Sequence, residues 1–185
     1  MRTLSLFFQW FIGVPLLPAA LMLGGCDSRD PGLNSHSSFN IEQATAQYME
    51  NSRFIKDIVG VDALVNRTFC AYQVYGMEAK KRDVHQYLWV VCHEYDLEDN
   101  QLFQKRGGSF PVALILNKNS QGYQIVTHKI PRQGKEGISD LTAIFPSFIL
   151  ENSSFPLNNS AYSEYLITRL GNDTKQAAKA YLKIE

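Results

Sequence analysis

The chain has 185 residues, with 18 basic and 18 acidic side chains and a formal charge of zero. That balance excludes a strongly basic nucleic-acid binder and an acidic solvating tail. A hydrophobic content of 45% is that of a chain that folds around a core, and the length suits one domain with a tail.

Residues 1–26 read MRTLSLFFQWFIGVPLLPAALMLGGC, and Arg2 is the only charge before Asp27. A positive start, an apolar stretch and small residues at its end describe a secretory signal. Pro15 and Pro18 fall in the middle of the run. Each would remove a hydrogen bond from a spanning helix, and no cluster of Lys or Arg flanks the segment to set a topology. The run ends in Leu23-Gly24-Gly25-Cys26, which resembles the lipobox of bacterial prolipoproteins. The resemblance implies that residues 1–25 are a cleaved signal peptide and that Cys26 carries lipid. It also implies that Asp27, directly after that Cys, keeps the protein in the inner membrane if the host is Gram-negative. The bilayer, reached through acylated Cys26, is then the first partner, and the periplasmic face of the inner membrane the expected location.

Cleavage would leave 160 residues with 17 basic and 18 acidic side chains. On this balance there is no electrostatic case for nucleic acid or for anionic lipid. Residues 27–39, DSRDPGLNSHSSF, read with Cys26 as a lipidated flexible linker, and residues 40–185 as a single globular domain. A first helix is expected over 41–59, with Asn40 as N-cap, Gln43 three residues on and Gly60 as the stop. Four strands are expected at 67–76, 85–96, 109–117 and 123–131, rich in β-branched and aromatic residues. The polar connections between them are too short for helical crossovers, so the strands should pair as antiparallel hairpins. After them come a helix at Leu141–Phe145 disturbed by Pro146, a loop at 151–160, and two short helices, Ala161–Leu170 and Asp173–Leu182, around Gly171-Asn172. The fold class is therefore α+β, an N-terminal helix packed on a curled four-stranded antiparallel sheet followed by short C-terminal helices. In element order it resembles the small cystatin-like and NTF2-like domains.

With Cys26 given to lipid, Cys70 and Cys92 remain. A hairpin folded about Lys81 places them directly opposite each other, at a separation close to that of a disulfide. They are read as a structural disulfide in an oxidising compartment, or else as two buried thiols. Cys-x-x-Cys and His-Glu-x-x-His are absent from the sequence, so no metal site and no cofactor is indicated. No Gly-x-Ser-x-Gly is present either. Four histidines occur: His36, His85, His93 and His128. If the second and fourth strands share a face, His93 and His128 converge in a cavity beside Tyr87 or Tyr95, with Asp96 nearby; otherwise they are ordinary surface or hydrogen-bonded histidines. The strand aromatics read as core and cross-strand packing, or as the lining of a concavity on the sheet. These observations favour a membrane-tethered binding or accessory domain without catalysis, whose partner is another envelope protein or a small ligand. The alternatives are an NTF2-like enzyme using His93, His128 or Asp96, and a cystatin-like protease inhibitor.

Overall fold

The computed structural model describes residues 35–184. The signal segment, Cys26, Asp27 and the first part of the linker lie outside the described residues. The class is α+β: a four-stranded antiparallel sheet with several helices. The strands are β1 (Thr68–Lys80), β2 (Asp83–Glu98), β3 (Gln101–Asn119) and β4 (Gly122–Lys129), neighbours in chain order. They run longer than the sequence suggests, and the turns between them are correspondingly tight. Residues 101–108, expected as part of a loop, pair with the end of β2. Their polarity reflects exposure, since this part of β3 projects into water. The turn Asp99-Asn100 has positive φ at both residues, +47° and +64°, the geometry a two-residue hairpin requires and one that Asp and Asn tolerate. The β1–β2 turn holds Lys81 at φ +55°. For a side chain with no local hydrogen bond to offer, that region costs about 1–2 kcal/mol.

β2 explains the layering. Its residues from Gln86 to Cys92 are all buried, so both faces of the sheet are covered. Leu88, Val90 and Cys92 pack with Val112, Leu114 and Leu116 of β3 against Ile41, Met49, Phe54 and Ile58. These come from two N-terminal helices, α1 (Ser35–Met49) and α2 (Ser52–Val59). On the opposite face Tyr87, Trp89 and Val91 pack against Phe145, Ile149, Phe155, Leu166 and Leu170. These side chains come from the C-terminal segment, with α3 (Gly137–Ile144), α4 (Ser147–Leu150) and α5 (Ser160–Leu182). The aromatics of β2 are therefore core residues, and among the described residues both faces of β2 are packed and neither forms an open concavity.

Two expected helix boundaries are corrected. The single helix over 41–59 is two helices, the first starting at Ser35 and so taking in residues 35–39 of the expected linker. The break falls at Asn51, whose side chain accepts from Arg53 N and Phe54 N and so caps α2. A short Asx side chain competes with the helical backbone in this way and starts a new helix instead of continuing the old one. The reverse holds at the C-terminus, where Gly171 does not divide the helix. α5 runs unbroken, with Leu166, Leu170, Thr174 and Ala178 as its buried stripe. A Cβ at Gly171 would lie 3.2 Å from His93 Cε1, a tight contact, so the helix passes close to the sheet here and the glycine sits within it without ending it.

The Cys70–Cys92 disulfide is present, with the two Cα atoms 4.1 Å apart. The register that allows it depends on one extra residue. The turn pairs Lys80 with Asp83, and a regular ladder from there would set Cys70 opposite His93. Between Val74 and Gly76 the register shifts by one, so Tyr75 is the unpaired residue of a bulge. It buries its ring against Phe155, centroids 5.2 Å apart, and Cys70 meets Cys92. Reducing this bond, or replacing both cysteines with alanine, should lower the unfolding free energy by about 3 kcal/mol, the loop-entropy value for a ring of this size. Denaturant unfolding with and without reductant measures it, and the oxidised protein should show no reactive thiol at either position.

Candidate functional site: a groove at the open edge of the sheet

With both faces of the sheet covered, its edges are what remain accessible. β1 pairs only with β2. In an antiparallel pair a Cα separation as short as that of Cys70 and Cys92 marks a non-hydrogen-bonded pair, whose N–H and C=O groups point away from the partner strand. Alternation along the regular part of the ladder extends this to Thr68, Tyr72 and Val74. The Thr68 N–H is taken by Val65 O, and the Val74 carbonyl accepts from Gln73 Nε2. The outward main-chain groups of Cys70 and Tyr72 have no such partner among the described residues, and they form the floor of a groove.

The groove has a volume of about 460 Å³, within the usual range for a ligand site. One wall is the end of α1, with Ala46 and Met49, and Glu50 just after it; the other is the last turns of α5, with Ala177 and Tyr181; Val65 and Asn66 close one end. Phe69 and Tyr181 meet edge to face at 5.6 Å. Tyr72 is partly buried and its hydroxyl is held above the usual tyrosine range by burial and by the nearby Glu42 carboxylate. Glu50 is the one charged side chain among the lining residues. No nucleophile and base face each other here. The groove offers unpaired main-chain donors and acceptors between apolar walls, the requirements for taking in an extended segment as an added strand.

The three catalytic candidates do not meet. His128 pairs across the sheet with Leu114, on the α1–α2 face. There its Nδ1 accepts from the Tyr48 hydroxyl (2.8 Å) and its Nε2 donates to Asp57 (3.0 Å), so one neutral tautomer satisfies both partners. His93 lies on the opposite face, with Nδ1 3.1 Å from Thr174 Oγ1 of α5. It is seated between Gly171 and Gly107, where a Cβ on Gly107 would come within 2.3 Å of the ring. Asp96 is paired with Arg67 and Lys105, and the Lys105 hydrogen bond, then that from Leu97 N, holds its carboxyl below the usual range. The shared His93–His128 pocket, which the sequence left as an alternative to ordinary hydrogen-bonded histidines, is therefore not formed. Each histidine instead joins a helix to the sheet. Among the described residues no three His, Cys, Asp or Glu side chains are grouped to hold a metal ion. His36 is in α1, and its side chain lies outside the described set.

Comparison of the chain with protein-family models, curated proteins and solved structures finds no match.

Burial lowers the affinity of His93 and of His128 for a proton; at His128 the Asp57 carboxylate opposes this without reversing it. Depressed folded-state values mean that the unfolded chain takes up protons first. Stability should thus be constant well above the free-histidine value of about 6.5 and fall as pH drops through it. Unfolding midpoints measured at about pH 8 and about pH 5.5 should show this loss, and a His93→Gln, His128→Gln double variant should show a smaller one.

Proposed function

We propose that this protein is a bacterial envelope lipoprotein, tethered through Cys26, that acts as a non-catalytic binding or accessory domain and takes an extended segment of another envelope protein into the groove on β1. The single observation that carries the binding role is the open edge of β1. Main-chain groups at Cys70 and Tyr72 that have no partner among the described residues lie between apolar walls from α1 and α5. Exposed strand edges are normally blunted by charge, proline or a covering element, because they pair readily with other chains. Here the bulge at Tyr75 and the lysine-rich tip of β1 blunt the far half, while the half beside the disulfide stays open and apolar.

The tether rests on the sequence Leu23-Gly24-Gly25-Cys26 and on the apolar segment before it. The Cys70–Cys92 disulfide fits the same reading, since such bonds persist in compartments outside the reducing cytosol. Among the described residues no helix is long and apolar enough to cross a membrane. Asp27 would then retain the protein in the inner membrane of a Gram-negative host, and two or three acyl chains on Cys26 would hold it there without a spanning helix.

Both halves of the proposal are testable. Labelled palmitate should enter the protein and be absent from Cys26→Ala; label that survives the substitution removes the tether. For the groove, a photo-crosslinking residue at exposed Asn66 should give an adduct in cells, and Tyr72→Pro should abolish it. Proline at 72 deletes an N–H that points away from β2 and so spares the ladder. An adduct unaffected by Tyr72→Pro, in a variant that keeps its disulfide and its cooperative unfolding, would show that no strand is added at this edge.

A further inference from the structure

The near-zero net charge conceals a local excess of cations at one end of the sheet. At one end the β1–β2 turn carries Lys80, Lys81 and Arg82 in succession. Asp83 pairs with Asn117, which brings Lys118 of β3 alongside. Lys80 and Lys129 both act electrostatically on His85 and help to lower its proton affinity, although burial is the larger cause. Acids near this end among the described residues include Glu78, which is paired with Lys80 at 3.1 Å, Asp83, and Glu42 of α1 next to Gln43. At the other end the acids stand among cations: Asp96 is paired with Arg67 and Lys105, and Glu98 with Lys105 at 3.4 Å, so charge is balanced there.

Three further observations single out the basic end. Its turn holds a lysine in a backbone conformation that glycine, asparagine or aspartate adopts more readily. The β2–β3 turn, by contrast, uses Asp and Asn, so favourable turn chemistry is set aside where the cations stand. Half-exposed apolar side chains flank the same end, Met77 at 48% and Phe148 at 51%, with the Phe148 ring against Gly76. Lastly, the chain enters the fold there. Gln43, Ala44 and Gln47 of α1 lie beside Asn119 and Gln121 of the β3–β4 turn, whereas Met49 and Glu50 reach Thr68 and Cys70. α1 therefore runs from the basic end toward the disulfide. Nine peptide steps separate Cys26 from Ser35, so Ser35 stays within about 30 Å of a lipid on Cys26 even at full extension.

We infer that the end of the sheet bearing Lys80, Lys81, Arg82 and Lys118 is a docking surface for anionic phospholipid headgroups, which it meets in the leaflet that holds the lipid of Cys26. The inference rests on the tether proposed above and is independent of the groove. Basic side chains near a bilayer are drawn to its negative surface potential, within about a Debye length. Two exposed apolar residues at the same end can enter the interface. The disulfide, the β1 groove and the β2–β3 turn would then face away from the membrane.

The test uses the full acylated chain reconstituted into vesicles of phosphatidylcholine, with or without phosphatidylglycerol. Reductive methylation is followed lysine by lysine by mass spectrometry. Lys80, Lys81 and Lys118 should react about threefold more slowly on the anionic vesicles, and high salt should restore their rates. Lys135 and Lys175, exposed and remote from that end, should react equally on both. In Lys81→Glu, Arg82→Glu, whose changes lie in an exposed turn, the protection of Lys118 should disappear with the unfolding midpoint unchanged. Equal rates on the two vesicle types, or slowing that includes Lys135 and Lys175, would overturn the docking surface and leave the tether standing. A chain that carries no lipid and does not reconstitute would overturn both.

Discussion

The fold depends on a strand that cannot face water on either side. From Gln86 to Cys92 β2 is buried throughout, and at these positions both of its alternating sets of side chains are largely apolar: Tyr87, Trp89 and Val91 on one face, Leu88, Val90 and Cys92 on the other. Leaving either set exposed would forgo about 1.5–3 kcal/mol for each large side chain. The two ends of the chain are committed accordingly. The helices before the sheet cover one face and those after it cover the other, and four strands joined by tight turns fill the space between. Few polar groups enter these layers. Thr45 and Gln86 bond to each other at 2.7 Å, and Glu94 is met by Leu64 N and Arg106. What the layering leaves accessible is the pair of edge strands, and for that reason the groove lies on β1 and not on a face.

Much of this was legible in the residues. The β-branched and aromatic runs marked all four strands, and a hairpin centred on Lys81 placed Cys70 opposite Cys92; the turn is in fact centred between Lys81 and Arg82, and the bulge at Tyr75, which had no signal in the sequence, restores that pairing. The alternation in β2 was also visible, with both sets apolar. Its consequence, a second covering layer, depends on the C-terminal helices folding back, and that is a long-range event that local periodicity does not report. Gly171 misled because helix propensity is a local quantity, while what lies close to that glycine is the His93 ring on another element. Asn51 misled in the opposite sense, since its capping bonds outweigh the continuing apolar repeat on either side. The groove had no signature in the sequence at all. Residues such as Thr68, Cys70 and Tyr72 look the same in a central strand and in an edge strand, and only strand order tells the two apart.

The histidines show the same division between residue type and place. His93 and His128 carry the chemistry from which general bases are made, and each has partners at hydrogen-bonding distance. Those partners are a threonine of α5 in one case, and in the other a tyrosine of α1 and an aspartate of α2. A base needs room for a reacting atom beside it. At His93 the protein itself packs close: a Cβ on Gly107 would lie 2.3 Å from the ring, and one on Gly171 3.2 Å.

The bulge at Tyr75 has a further consequence for how much change the hairpin can absorb. Turn and disulfide each dictate an alignment of β1 with β2, and the two differ by one residue. The bulge reconciles them, so the stretch between it and the tip is decoupled from the stretch that holds the cross-link. Paired insertions or deletions near Lys80 and Asp83 would lengthen or shorten the tip while Cys70, Tyr72 and the groove kept their partners. A single deletion between Cys70 and Val74 would instead set the cross-link against the turn, and every side chain in that segment would be turned toward the opposite layer. The hairpin thus has a variable half and an invariant half, and their boundary is one tyrosine.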